Sequence, residues 1–275
     1  MKRYKEKHDA SINRGRGAGT QDIFLYDSRI YLENGFKLVV PSPTMMIHRQ
    51  IKAATRRRQA VVLTGVTMGG GPSAWAAEQH AQAGLPIYAT PEAARSFNDD
   101  LEAVRAVGIE VISDDEAAGL PADVVGITLQ DFDFAAIQTA FNTFGVALDE
   151  LAAVAVAVFD HGNAPVGTSD RQFRFDYLDE RVQTDNRLSA FAFRAADIPE
   201  SMTRLKAVVQ SAESKAQLLG AVPVVVMDTA PAAVLGASFD PLAARQERVL
   251  FANVGNFHTL AFRLGPGGIE GVFEH

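Results

Sequence analysis

Cysteine is absent from the chain of 275 residues. That excludes disulfides, thiolate zinc sites and cysteine-ligated iron–sulfur clusters together. A positive charge balance is absent too. The formal net charge is -7, which argues against a nucleic-acid binder held by phosphate neutralisation. A local cradle of backbone N–H groups needs no basic surface, so a nucleotide site stays open. Long apolar runs are also missing. The longest, Leu151 to Phe159, falls far short of the roughly 20 residues of a spanning helix. Nothing resembles a secretory signal. The reading is a cytoplasmic protein with neither a membrane nor a nucleic-acid partner. Fixed-period repeats and low-complexity tracts are missing as well.

What is present is an ordinary globular composition. Hydrophobic residues make up 47% and charged ones 21%, so a sizeable core can form. Residues 1–16 are polar and without period, which reads as a disordered start. Ile23 to Tyr26 and Phe36 to Val40 read as strands that could pair as a hairpin. Ser42-Pro43-Thr44 opens a helix. That helix ends in Arg56-Arg57-Arg58, either a basic anion patch or a solvated helix end suited to the macrodipole. Val61 to Thr64 reads as a buried strand, followed by a helix from Pro72 to near Gly84. A second helix is expected over Pro91 to Val107, and strands at Ile109 to Ile112 and Val124 to Thr128. A helix follows from Asp133 to about Phe144. Ala153 to Phe159 is the clearest buried strand. A long helix is expected over Glu200 to Leu219, a strand over Pro223 to Met227 and a short small-residue helix over Pro231 to Gly236. Val249 to Asn253 and Thr259 to Leu264 are strands, the second entering a hairpin at Gly265-Pro266-Gly267-Gly268. Strands alternating with helices imply an α/β fold with a largely parallel sheet covered on both faces.

Two glycine-rich turns carry the most suggestive chemistry. GAGTQD, Gly17 to Asp22, stands directly before a strand, which is the wrong context for a Walker loop or a dinucleotide fingerprint. It fits a tight turn whose Gly17 and Gly19 let the backbone approach an anion, with Thr20 and Gln21 adding donors. A plain glycine turn is the alternative. NVGNFHT, Asn253 to Thr259, again lies between two strands. Asn253, Gly255, Asn256, His258 and Thr259 crowd that turn with donors and acceptors. Two such turns could grip a phosphate chain from both sides.

Other residues could act. Asp160-His161-Gly162 follows the most apolar strand, where ligands of open α/β sheets bind. Asp160 could be a metal ligand or general base and His161 a proton shuttle. Capping and local hydrogen bonding are the structural alternatives. Asp228 and Thr229 end another strand the same way. Thr67 to Ser73, TMGGGPS, is either an anion cradle at a helix N-terminus or a loop packed closely on the sheet. Asp99-Asp100 and Asp114-Asp115-Glu116 read as helix caps and solvated loops. His80 reads as structural and Trp75 as core.

VVVMDTAPAAVLGA, a strand then a small-residue helix, directly precedes the second turn. In this the sequence resembles the actin-like ATPases, a superfamily that includes actin, the heat-shock ATPase chaperones and the sugar and acetate kinases. The resemblance implies two β-hairpin phosphate loops, GAGTQDIFLYD and NVGNFHTLAF, with Pro231 to Ala237 as the connecting helix. It implies a ribonuclease H-like domain with a mixed sheet and helices on both faces over residues 17–237, and a second domain only begun over 238–275. Over residues 17 to 275 the chain is similar to a prokaryotic family labelled as pyruvate formate-lyase activating enzyme. GAGTQDIFLYD, LVVPSPT, LTGVTMGGGPSAWA, FNDDLEAV, VFDHGNAPVG, FRFDY, VMDTAPAAVLGA and ANVGNFHTLAF carry that similarity.

The superfamily resemblance implies ATP and Mg²⁺ as cofactors and a small-molecule nucleotide as partner. Gly17, Gly19, Thr20, Gln21 and Asp22 would lie on one side of the phosphates. Asn253, Gly255, Asn256, His258 and Thr259 would lie on the other. Asp160 and His161 would serve catalysis, and Asp160 and Asp228 the metal. Two departures weaken turnover. Gly15 stands where the superfamily has a strand-ending Asp, and Asn253 stands where many members carry Asp. The label's radical chemistry needs three closely spaced cysteines, and this chain has none. An ATPase or phosphotransferase, a non-catalytic regulator with the same fold, and a binder of another anionic metabolite are the competing readings. The sequence sets no oligomeric state.

Overall fold

The computed structural model describes residues 19–165, 167–215, 222–255 and 259–274. Residues 1–16, read as a disordered start, lie outside these, as do 216–219 of the helix expected to reach Leu219. The described chain is a mixed α/β protein with several sheets and helices on both faces.

Strands β1 (Thr20–Leu25) and β2 (Phe36–Pro41) pair antiparallel. Helix α1 (Pro43–Arg57) follows, with the Ser42 side chain accepting from the Met45 N–H and Pro43 in the first turn. The next unit alternates strands and helices: β3 (Val61–Gly65), α2 (Pro72–Gln82), β4 (Ile87–Ala89), α3 (Pro91–Ala94), α4 (Leu101–Ala106), β5 (Glu110–Val111), α5 (Asp114–Ala118) and β6 (Val125–Leu129). Its strands are all parallel, in the order β5-β4-β3-β6. Val61, Val62 and Leu63 are buried on both faces of β3, as a central parallel strand requires. Around them Ile47 and Ile51 of α1, Ala76 and Ala77 of α2, and Ile127 and Leu129 form one core cluster.

The second half contains α6 (Phe134–Thr143), β7 (Val154–Val158), α7 (Asp170–Thr184), β8 (Ala192–Arg194), α8 (Thr203–Glu213), β9 (Val224–Asp228) and α9 (Thr229–Ser238). It ends in the antiparallel meander β10 (Val249–Val254), β11 (Thr259–Gly265) and β12 (Gly268–Glu274). In the sheet β7-β9-β8, β7 runs parallel to β9 and β8 antiparallel. A second core cluster joins this sheet to α6 and α8, and Ile23, Leu25 and Leu38 of the first hairpin pack against it. A third joins α7 and α9 to the meander through Leu178, Phe191, Val234 and Phe262. Burying side chains of this size contributes roughly 1.5–3 kcal/mol each.

Several expectations are corrected. The helix expected over Pro91 to Val107 is two helices. Asn98 accepts from the Asp100 N–H, and Asp100 caps the second helix through the Glu102 N–H. Strand β7 is not uniformly buried: Val154, Val156 and Val158 turn to the core, while Ala155 and Ala157 on the opposite face are exposed. Trp75 is 37% exposed, not core. Helix α7 was not legible at all. The capping readings of Asp100 and Glu116 hold, Glu116 forming a capping box with Ser113.

His80 is fully buried. Its Nδ1 lies 2.9 Å from Thr55 Oγ1 and its Nε2 3.2 Å from the Pro86 carbonyl. Burial holds its pKa below the ordinary 6.5. The unfolded chain therefore takes up a proton that the fold resists. This contribution to stability is full above the ordinary value and is lost as pH falls through the lower folded value. Urea midpoints should drop between about pH 7.5 and about pH 5.5, and the drop should shrink in His80→Gln. An undiminished drop in that variant would overturn this role.

Candidate functional site

Strands β7 and β9 are neighbours in register, Val158 facing Asp228. Two aspartates far apart in sequence therefore meet at the carboxyl ends of adjacent strands. Asp160 is 2% exposed and Asp228 is also buried. The Asp160 N–H donates to Asp228 Oδ2 at 3.0 Å.

Each carboxylate caps a helix. Asp228 Oδ1 accepts from the Ala230 N–H at 2.9 Å and opens α9. Helix α8 has no side-chain cap of its own. Asp160 supplies one from 45 residues away, Oδ2 accepting from the Leu205 N–H at 2.9 Å, while Oδ1 accepts from the Gly162 N–H at 2.9 Å. A carboxylate at a helix N-terminus also meets the positive end of the macrodipole. Burial raises the Asp160 pKa, against the opposing pull of those two N–H groups and of Arg204.

Two arginines, one buried and one partly buried, complete the cluster. Arg174, on α7 and 4% exposed, donates to both oxygens of Asp228, to Glu274 Oε2 at 2.6 Å and to the Asp160 carbonyl at 2.8 Å. Its guanidinium lies 4.6 Å from the Phe159 ring centroid, a cation–π contact. Burial works against the charge on Arg174, but the Asp228 and Glu274 carboxylates prevail and raise its pKa. Arg204, on α8, holds Asp131 with two bonds of 2.6 and 2.9 Å and donates to the Phe159 carbonyl at 2.6 Å. Asp131 also accepts from the Gly69 N–H, 3.3 Å away. Hydrogen bonds thus run from the TMGGGPS loop through Asp131 and Arg204 to the Phe159 carbonyl, and, one residue on, from Asp160 through Asp228 and Arg174 to Glu274. They join all three core clusters.

These bonds occupy the place where ligands bind in open α/β sheets. Strand order reverses between β3 and β6, and the crevice beyond their carboxyl ends is such a switch point. The protein's own Asp131 and Arg204 sit there. The glycines of the loop permit this contact: a Cβ on Gly69 would stand 2.6 Å from Arg204 Nη2, and one on Gly70 2.4 Å from the Ser96 carbonyl. Thr44 and Ser73 both donate to the Gly70 carbonyl from below. Of the two readings of TMGGGPS, this geometry is the packed one.

The other expected residues fall as follows. Asp160 and Asp228 are together, and His161 beside them is exposed. Gly19 has a φ of 75°. Thr20, Gln21 and Asp22 begin β1, where Gln21 donates to the Pro41 carbonyl and exposed Asp22 lies 3.8 Å from Lys37. Asn253 is the penultimate residue of β10, Gly255 is exposed directly after the strand, and Thr259 begins β11. Gly17, Asn256 and His258 lie outside the described residues. Among the described residues no hydrogen bond or ion pair links the two turns. Nor do three His, Asp or Glu side chains there gather as they would about a metal ion.

Arg174, Arg204, Asp131 and Glu274 escaped the sequence reading. Asp131 had a signal: like Asp160 and Asp228, it follows an apolar strand. Among the described residues no helix is long and apolar enough to cross a membrane. No curated protein matches the chain, and no solved structure does. A family model matches residues 68–275, well over half of the sequence, so the chain belongs to the family described as "Putative pyruvate format-lyase activating enzyme".

Proposed function

We propose that the chain is a nucleotide-phosphate-binding protein of the actin-like ATPase type, taking Mg·ATP at its two glycine-rich turns. The observation that carries this reading is the succession β9, α9, β10, β11. A strand ends in Asp228, a helix of small residues follows, and an antiparallel hairpin then presents a turn containing Gly255 between Val254 and Thr259. Support from the first turn is partial: Gly19 has the positive φ of a tight turn and leads directly into the β1–β2 hairpin. The radical chemistry in the family's description does not fit this chain. An iron–sulfur cluster of that kind needs thiolates, and the sequence has no cysteine.

For Mg²⁺ the two buried aspartates differ. A carboxylate has about four acceptor sites. Those of Asp228 are taken by Ala230, Asp160 and the two contacts from Arg174. Asp160 has two such bonds, to Gly162 and Leu205. It is therefore the side chain of the pair with sites left for a metal or its water, where the ion would neutralise phosphate charge. The saturation of Asp228 favours a second reading, nucleotide binding without turnover.

Titration calorimetry with Mg·ATP should give a Kd below about 1 mM. Removing a hydroxyl that donates to phosphate, as in Thr259→Val or Thr20→Val, should weaken binding about tenfold or more. No heat at millimolar nucleotide would end the proposal. Hydrolysis that disappears in Asp160→Asn would decide for the enzyme over the silent binder.

A further inference from the structure

Helix α1 contains Arg49, Lys52, Arg56 and Arg57 and not one acidic residue, and Arg58 caps it. Among the described residues none of these five cations has an ion pair. Arg95, Arg105, Arg187, Arg248 and Arg263 do, and Arg171, Arg194 and Arg245, which have none either, stand apart along the chain and not together on one helix. The helix macrodipole accounts only for the last turn, Arg56 to Arg58. Arg49 and Lys52 lie further in, and like charges at spacings of three and four repel. Arg58 has a φ of 55°, the sole positive value at a non-glycine among the described residues. Glycine or asparagine ordinarily takes that position. The concentration of charge is thus kept against local preferences, on a chain whose net charge is -7.

A second observation falls on the same flank. Helices α1 and α2 run side by side in one direction, because Thr44 and His48 meet Ser73 and Pro72 at the start of α2, and Lys52 and Thr55 meet Gln79 and His80 further along it. Trp75 lies one turn before Gln79 on α2, so it shares the side that meets Lys52. Arg49 and Arg56 precede and follow Lys52 by three and four residues, and Met46 precedes Arg49 by three. Trp75 is 37% exposed and Met46 38%. Tryptophan, methionine and arginine together are the composition of interface centres rather than of ordinary surface.

We propose that this flank docks an acidic amphipathic helix of a partner protein. Trp75 and Met46 seat its apolar side chains, and Arg49, Lys52 and Arg56 meet its carboxylates. The cations favour carboxylates because two of the three are arginines, whose planar fork matches that group. Arg49 to Arg56 spans about 10 Å, two helical turns, which fits glutamates seven residues apart on the partner. Nucleic acid is disfavoured by the acidic remainder of the chain.

Trp75 is the chain's only tryptophan, so the emission of the intact protein reports on this flank directly. The probe is a synthetic amphipathic helix of about 18 residues with glutamates on one side and leucines beside them. A saturable blue shift is expected, with affinity falling about tenfold between roughly 50 and 300 mM salt. Arg49→Glu with Arg56→Glu should weaken it at least about tenfold, and Arg245→Glu should leave it unchanged. Should the double variant fail to fold by circular dichroism, Arg49→Gln carries the same comparison at about threefold. The proposal is overturned by no shift at about 1 mM peptide, or by equal affinity in the reversed variant. It is also overturned if phosphatidylserine vesicles or a DNA duplex shift Trp75 and the peptide does not.

Discussion

Replacing Arg174 by methionine should destabilise the protein by about 3–5 kcal/mol, a large part of the roughly 5–15 kcal/mol that holds a domain folded. The side chain is 4% exposed and touches two carboxylates, a backbone carbonyl and the face of Phe159. Methionine fills much of the volume but leaves Asp228 and Glu274 buried without a counter-charge. The loss comes mainly from those stranded acids. Adding Asp228→Asn and Glu274→Gln to Arg174→Met should therefore recover stability, although each acid's replacement alone lowers it. Urea unfolding followed by circular dichroism measures all of these variants. A loss below about 1 kcal/mol for Arg174→Met would mean the pair is solvated and the cluster is not the junction described.

Arg174 also explains what the sequence concealed. Helix α7 buries one side through residues 174, 177, 178 and 181. Two of these are arginines, Arg174 and Arg181, bonded to Asp228 and to the Ala190 carbonyl. A helix recognised by an apolar stripe is invisible when its inner face carries two cations. Helix α1 was legible because Ser42 and Pro43 mark its start and Ile47, Ile51 and Ala54 face the core at regular spacing. Strand β3 was legible for the opposite reason, since an unbroken apolar run needs no alternation. The aspartates at strand ends could be seen one at a time. That Asp160 reaches across to cap α8 could not, because a cap supplied from 45 residues away leaves no local pattern.

Gly65→Ala tests the other end of the junction, and its expected loss is about 4 kcal/mol from strain and overlap together. Gly65 ends β3 opposite Leu129 of β6, with a φ of 101°. A Cβ there would stand 2.4 Å from the Leu129 carbonyl oxygen and 2.9 Å from its nitrogen. That carbonyl accepts from the Val66 N–H at 2.9 Å, so it cannot withdraw without breaking the pairing that starts the TMGGGPS loop. Gly126, on β6 in the same strand pair, is the control. It has open space around it and no positive φ, so Gly126→Ala should be neutral or stabilising by about 0.5 kcal/mol. The contrast has a functional edge. A loop held open as an anion cradle would tolerate a shift at its root and lose only ligand. A loop packed between Arg204 and Ser96 transmits the shift to Asp131 and so to the cap of α8. Gly65→Ala should then lower global stability and, with it, the hydrogen-exchange protection of α8, a helix it does not touch. Unchanged protection in α8 with lowered protection confined to β3 and β6 would mean that the hydrogen bonds from Gly69 through Asp131 and Arg204 to the Phe159 carbonyl carry no coupling between the two halves.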